Sequence, residues 1–493
     1  MSAPDGSCAQ PKKAFNFARA CRLVGIASEP VMQVMVPIHP TASMVFPFEL
    51  ERVAATKSDG SESASFECVQ YSLLQNAWGH RVGSLFEFPH CSQPNAPYKA
   101  RSSGPKFRMR ILLFINSLGG GGAERVTVNL ARYWASAGHT VRIVTLNAIS
   151  GDAYPLPETV SRVGLGLGHG GGTLIQRLAA NVRTTVALRQ EMKRFDCDVA
   201  VGMITMSNVQ VACAALGLAC GTVGSERVSP GHWPIPAPWR FLRWACYGLL
   251  DVVTTQTAGA AQWVRGHTCA RRVHVIPNAV VQLVEGNRVV SPDTVCPADC
   301  RIILAVGRLA DQKRFDKLIR AFAQVAMDRP KWELVILGEG HNRSTLESLA
   351  NNVGLKRRVH LPGRVDNVST WYRRASVFAL TSDFEGFPNV LTEALAHGLP
   401  SVAVDCPDGP RDILRDNRGG LLVPIDEHDA MVQALERVMD DEALRAEMSR
   451  AAPAVKDAYR EDKIMAEWSA VLDVAHRAAQ RRGRRRGVPV LPN

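Results

Sequence analysis

Hydrophobic positions follow one pattern in the first hundred or so residues and another in the rest of the chain. Across 1–105, apolar clusters such as Val31–Val36 are cut by prolines and Ser58–Ser65 is a polar run. No period of 2 or 3.6 is sustained there. At Arg110 the character changes. Arg110–Asn116 (RILLFIN) is the continuous apolar run of a strand buried on both faces. A glycine run follows, then a helical period through Trp134, a stop at Ala137-Gly138-His139, and a second apolar run at Val141–Leu146. Further strands are predicted at Val199–Met203, Gly221–Gly224, Val252–Thr255 and Val273–Ile276. Apolar strand, glycine turn and amphipathic helix in alternation predict parallel βαβ units.

Pro277-Asn278 and the irregular stretch to Cys300 read as a linker, and a second alternating series begins at Arg301. Its strands are predicted at Ile302–Val306, Glu333–Leu337, Val359–Leu361, Val377–Leu380, Ser401–Val404 and Leu421–Val423. Its helices are predicted at Phe315–Met327, Ser344–Asn352, Val390–His397 and Glu427–Met439. The fold class expected is α/β: two Rossmann-like, doubly wound parallel-sheet lobes facing a cleft, with ligands beyond the carboxyl ends of the strands. The expected domains are a poorly ordered extension (1–107), a first lobe (108–285), a second lobe (286–460), a helix packing back (461–476) and a basic tail (477–493). Because the alternation starts one residue after Met109, residues 1–108 are expected to lie outside the working protein, with Met109 as the true start. The other reading is an extension that folds separately or binds a partner.

Composition narrows the class. The chain has 493 residues, is 46% hydrophobic and 21% charged, and carries a net charge of +12, which is ordinary for a globular protein of two or three domains. Arg477, Arg481, Arg482, Arg484, Arg485 and Arg486 crowd the C-terminal end. Such a tail suits an anionic membrane surface, nucleic acid, or no partner at all; nucleic acid is not expected as a partner. The 12 cysteines include no C-x-x-C pair, and Cys296 and Cys300 lack companion ligands, so reduced thiols in a cytoplasmic protein are expected. No secretory signal and no ~18-residue apolar run are found.

The densest chemistry lies in Glu385-Gly386-Phe387-Pro388-Asn389-Val390-Leu391-Thr392-Glu393. It follows a predicted strand and opens a predicted helix, so the backbone N–H groups around Asn389, Val390 and Leu391 become the unpaired donors of a helix N-terminus. Those donors and the positive dipole end suit a phosphate. Glu385 at the lip and Glu393 a turn inside could then grip hydroxyls at either end of a phosphate-linked ligand. On spacing alone, Glu385 is equally a capping acid and Glu393 a solvated face residue.

Together with motifs elsewhere, this segment resembles the family-4 retaining glycosyltransferases of the GT-B fold. The E-x7-E pair Glu385/Glu393 looks like that family's signature. Matching it in order are the glycine loop Gly119–Gly122 with Ala123-Glu124, Pro277-Asn278, Gly307-Arg308-Leu309 with Lys313, Leu337-Gly338-Glu339-Gly340, Leu361-Pro362-Gly363 and Glu393-Ala394-Leu395-Ala396. The match spans roughly 108–475, about three quarters of the chain. The resemblance implies a nucleotide-sugar donor held by the second lobe. Glu393 would take the ribose, Glu385 the hydroxyls of the transferred sugar, and Gly363-Arg364-Val365 the base by backbone contacts. Gly120 and Gly121 would approach the donor from the first lobe, and the loop Gly386-Phe387-Pro388 would lead into the phosphate site. Arg308 and Lys313 would neutralise the leaving diphosphate, since a transferase without a metal needs fixed cations. No Asp-x-Asp triplet sits at a strand end, so no metal and no cofactor are expected.

Substrate features are softer. The runs Leu380–Leu391 and Asp405–Leu414 look like the branch handling UDP-N-acetylhexosamines or UDP-hexoses, which extends lipid-linked oligosaccharides of bacterial surface glycans. Gly224-Ser225-Glu226-Arg227 resembles a segment on the acceptor side, where many relatives carry His; here Arg227 takes that place. His232 nearby is a second acceptor-side candidate, though a lone His is more often structural. Trp233–Trp244 mixes aromatic and basic residues, which suits lipid headgroups and equally a helix packed on its lobe. The expected location is cytoplasmic, at the inner face of the cell membrane. A dehydrogenase is disfavoured, since the third fingerprint glycine is missing and no acid follows Leu146. A GT-B-fold UDP-sugar epimerase, a phosphorylase and a non-catalytic nucleotide-sugar-binding scaffold remain the alternatives.

Overall fold

A computed structural model describes residues 108–168, 173–281, 286 and 288–485. The expectations for residues 1–107 lie outside the described residues.

The first lobe alternates strand and helix: β1 (Arg110–Ile115), α1 (Gly122–Ser136), β2 (Thr140–Thr145), β3 (Val160–Gly164), α2 (Leu174–Phe195), β4 (Val199–Met203), α3 (Thr205–Ala214), β5 (Gly221–Ser225), α4 (Ala237–Cys246), β6 (Val252–Thr255), α5 (Ala258–His267) and β7 (Val273–Val275). The strands form one parallel sheet in the order β3-β2-β1-β4-β5-β6-β7. β3 went unseen in the sequence because it is an edge strand. Four of its five residues are only half-buried or exposed, so it lacks a continuous apolar run.

The second lobe repeats the plan with β8 (Arg301–Val306), α6 (Phe315–Ala326), β9 (Trp332–Leu337), α7 (Arg343–Asn352), β10 (Val359–Gly363), α8 (Val368–Arg374), β11 (Val377–Leu380), α9 (Asn389–Ala396), β12 (Ser401–Val404), α10 (Pro410–Leu414), β13 (Gly420–Val423), α11 (His428–Asp440), α12 (Glu442–Ala451) and α13 (Val455–Ala458). Its parallel sheet runs β10-β9-β8-β11-β12-β13. The order reverses between β1 and β4 in one sheet and between β8 and β11 in the other. Loops leaving adjacent strands there diverge to opposite faces and open a crevice. The glycine loop leaves β1, Arg308 and Lys313 follow β8, and Glu385 follows β11, so both switch points carry candidate residues.

Helix α14 (Glu461–Arg485) returns to the first lobe. Ile464, Met465, Trp468, Val471, Leu472 and Ala475 join the core beneath β1 and α1, with Trp468 edge-on to Trp134 at 5.9 Å. The helix does not stop at 476, where a basic tail was expected to begin. Ala479 is buried, and Arg482 donates to Asp251 at 2.9 Å and to the Cys220 carbonyl at 3.0 Å. That arginine is tied to the first lobe. The sequence could not show this, because Asp251 lies 231 residues away.

Candidate active site

Two loops of the second lobe are bound together at its switch point. After β8, Gln312 donates to the Phe384 carbonyl at 2.6 Å. After β11, Thr381 donates to the Lys313 carbonyl at 2.9 Å. This brings Lys313 Nζ to 2.6 Å from Glu385 Oε1, and Ser382 donates to the same oxygen at 2.6 Å. Both side chains are mostly buried, at 17% and 10% exposure, where a charge pair is stronger than at the surface. Arg308 remains exposed at the cleft mouth. Burial raises the Glu124 carboxyl above its usual range, opposed by its own backbone and by the attraction of Arg308, so Arg308 is near enough to the glycine-loop helix to act on its charge.

Helix α9 departs from expectation at one position. Leu391 N–H donates to the Pro388 carbonyl at 3.0 Å, because the first turn closes on itself, so Leu391 offers no free donor. The amides of Asn389 and Val390 have no hydrogen-bond partner among the described residues. The site that remains is a two-amide N-terminus. Phe387, Val365 and Leu391 are core side chains, so these positions can present only backbone to the cleft. Glu393 is 7% exposed and accepts from Tyr372 Oη at 3.1 Å.

The first lobe closes on these groups. Gly120 adopts φ +105°, a conformation that favours glycine, and the Arg364 guanidinium lies against it, 2.5 Å from where a Cβ would sit. Tyr154 donates to the Gly121 carbonyl at 3.3 Å. Arg125, in the first turn of α1, pairs with Glu393. Arg125 is not legible as a site residue in the sequence. Its only signal is its place directly after Glu124, and its partner is 268 residues away.

On the acceptor side the expected residues separate. Glu226, 1% exposed, turns into the first lobe, where Thr205 donates to it at 2.9 Å and Tyr247 also donates. Burial raises its carboxyl, and its oxygens are not directed to the cleft. Arg227 points the other way and bonds Asn278, whose Nδ2 donates to Asn389 Oδ1 at 2.6 Å. His232 is exposed, with Nδ1 2.9 Å from Ser229 Oγ. In α4 the aromatic–basic stretch is part packed and part exposed. Arg243 is buried over the Trp263 ring at 4.3 Å, while Phe241 and Trp244 remain 62% and 41% exposed.

Two Rossmann-like lobes, paired switch points and a cationic cradle before a helix N-terminus define the class: a glycosyltransferase of the GT-B fold. Residues 120–281 match the family model described as Glycosyltransferase Family 4, and residues 291–455 that described as Glycosyl transferases group 1. The chain is 30% identical, over 73% of its length and 97% of the relative, to a Campylobacter jejuni protein. That protein is named as an alpha-1,4-N-acetyl-D-galactosaminyltransferase acting on GalNAc-alpha-(1->4)-GalNAc-alpha-(1->3)-diNAcBac-PP-undecaprenol. This chain is also 26% identical to the amylovoran biosynthesis glycosyltransferase AmsD of Erwinia amylovora, over 74% of this chain and 99% of that one. Among solved structures it resembles sucrose-phosphate synthase from Thermosynechococcus elongatus, with a TM-score of 0.63, 19% identity, and 76% and 99% of the two chains covered. The chain belongs to the family-4 glycosyltransferases.

Proposed function

We propose that this glycosyltransferase moves a hexose or N-acetylhexosamine from a UDP-sugar to a lipid-linked or surface-glycan acceptor, retaining anomeric configuration and needing no metal. The observation that carries this is the convergence of Lys313, Glu385 and the free amides of Asn389 and Val390 at one switch point. A diphosphate at α9 would meet two backbone donors, the helix dipole and Lys313. In the step proposed, the acceptor hydroxyl oxygen bonds to the anomeric carbon on the face the diphosphate leaves. The anomeric C–O bond breaks, its electron pair goes to the β-phosphate oxygen, and the hydroxyl proton passes to that phosphate. Nothing in this step asks Glu385 to be a nucleophile. Lys313 and Ser382 both engage its Oε1, which weakens that oxygen for attack and suits it to orient hydroxyls.

Membrane contact is part of the proposal. Along α2, Ile175, Leu178, Val182 and Val186 are all exposed, and their spacing places them on one face. Arg177 and Arg183 are exposed beside them. Helix α3 packs against both α2 and α4, so the exposed Phe241 and Trp244 share that side of the sheet. Apolar residues flanked by arginines suit an anionic bilayer surface, and the polyprenyl acceptor in the Campylobacter relative's name is consistent with that location. Incubation with UDP- and GDP-sugars plus a polyprenyl-diphosphate glycan tests the reading. Acceptor-dependent consumption of a UDP-sugar is expected; no consumption of any donor would overturn it.

A further inference from the structure

Arg227 lies two residues beyond β5, and among the described residues its buried guanidinium meets no counter-charge. It is 6% exposed. Nη1 donates to Ser225 Oγ at 3.4 Å, Nη2 donates to Asn278 Oδ1, and Nε has no partner among the described residues. Every one of these contacts is neutral, and the adjacent Glu226 faces the other way. Burial alone lowers its pKa to about 9, so it is still charged at neutral pH. Gln256, 4% exposed, adds a second unmatched group, since its Oε1 accepts no hydrogen bond from the described residues. Both flank Gly386: a Cβ at that position would collide with the Arg227 carbonyl oxygen and lie 2.7 Å from Gln256 Oε1. The loop carrying Glu385 therefore closes directly over this pair. Through Asn278, Arg227 also reaches Asn389 in the first turn of α9, and the Gly122 end of the glycine loop approaches the same Asn389.

An isolated buried charge is costly unless something of opposite sign joins it. We infer that Arg227 is a first-lobe anchor for a diphosphate bound between the lobes, a cation complementing Lys313 from the opposite wall. This rests on the nucleotide-sugar reading above and deepens it. The diphosphate chemistry has two sources, the donor nucleotide and the lipid-linked acceptor. Arginine suits either, because its fork can give two parallel hydrogen bonds to phosphate oxygens. It would also let an arriving diphosphate draw the lobes together, since the compensating charge is supplied only on binding.

Calorimetry and thermal melting on the full chain, with UDP and separately with farnesyl diphosphate, test this in wild type, Arg227→Met and Arg227→Lys. Removing an uncompensated buried charge should leave ligand-free Arg227→Met melting at or above wild type. Its UDP affinity should nevertheless fall about tenfold or more, with Arg227→Lys recovering part of the loss. A fall confined to farnesyl diphosphate would keep the subsite and assign it to the acceptor lipid. Affinities within twofold of wild type for both probes in Arg227→Met would overturn the inference and leave the proposed function standing. Ligand-free melting well below wild type would make Arg227 a structural residue and also overturn it. A wild type that binds neither probe would overturn both readings.

Discussion

Lys313 and Arg308 follow the same strand but sit in different surroundings. Lys313 is held between Glu385 and the β11 loop, with 17% of its side chain exposed, whereas Arg308 is exposed and acts on Glu124 only through its charge. Preorganised charge of this kind is typically worth ~10²-fold or more in rate. Lys313→Ala and Arg308→Ala should each lower kcat by about that factor at saturating donor. Activity within twofold of wild type in both would remove the leaving-group role. Arg125 makes a different contribution. It pairs with Glu393 across the lobes, and Tyr372 alone would remain on that carboxylate without it. Arg125→Ala should therefore raise the donor KM, by ~10-fold as typical for losing a charged hydrogen bond, more than it lowers kcat, with partial rescue by Arg125→Lys. An unchanged KM would show that Glu393 does not depend on Arg125 for donor contact.

The secondary-structure elements differ in how far the sequence betrays them. Strands β1, β8 and β11 are uninterrupted apolar runs because helices cover both faces of their sheets, and they were legible at once. So was the Glu385–Glu393 segment, since strand, loop and helix start are all local features. Edge strand β3 and the far end of α14 were not legible. The first lacks an apolar run, and the second has the composition of a solvated tail until Asp251 meets Arg482. Arg125 escaped for the same reason, and Asn278 was legible only as part of a motif: their partners Glu393 and Asn389 are 268 and 111 residues away. The docking of α14 carries a stability prediction. Trp468, 1% exposed, packs on Trp134, so Trp468→Ala should cost ~3–5 kcal/mol in denaturant unfolding. A loss below ~1 kcal/mol, the level of an ordinary surface change, would contradict the packing. Helix α2 carries a second. Its exposed apolar face and flanking arginines should bind anionic vesicles in a salt-sensitive way. Leu178→Glu with Val182→Glu should abolish co-sedimentation without changing the melting temperature. Equal binding to neutral and anionic vesicles would contradict the electrostatic part.

At the scale of the whole molecule, the two lobes meet through specific polar bridges: Arg125 to Glu393, Asn278 to Asn389 at 2.6 Å, and Thr257 to Asp408 at 2.6 Å. Trp233 stacks edge-on against Phe384 at 6.1 Å. Each bridge joins a residue beyond the carboxyl end of a first-sheet strand (β1, β7 or β6) to one beyond the carboxyl end of β11 or β12, so the cleft is bounded on both sides by groups suited to phosphate and hydroxyls. The central claim is that these groups carry out metal-independent transfer with retention. Its most direct test is the proton NMR spectrum of the product formed in excess EDTA, from an α-linked UDP-N-acetylhexosamine and a prenyl-diphosphate-linked acceptor sugar. A new α-anomeric signal, growing in step with UDP release, is expected. A β-anomeric product, or transfer that appears only when a divalent metal is restored, would contradict it.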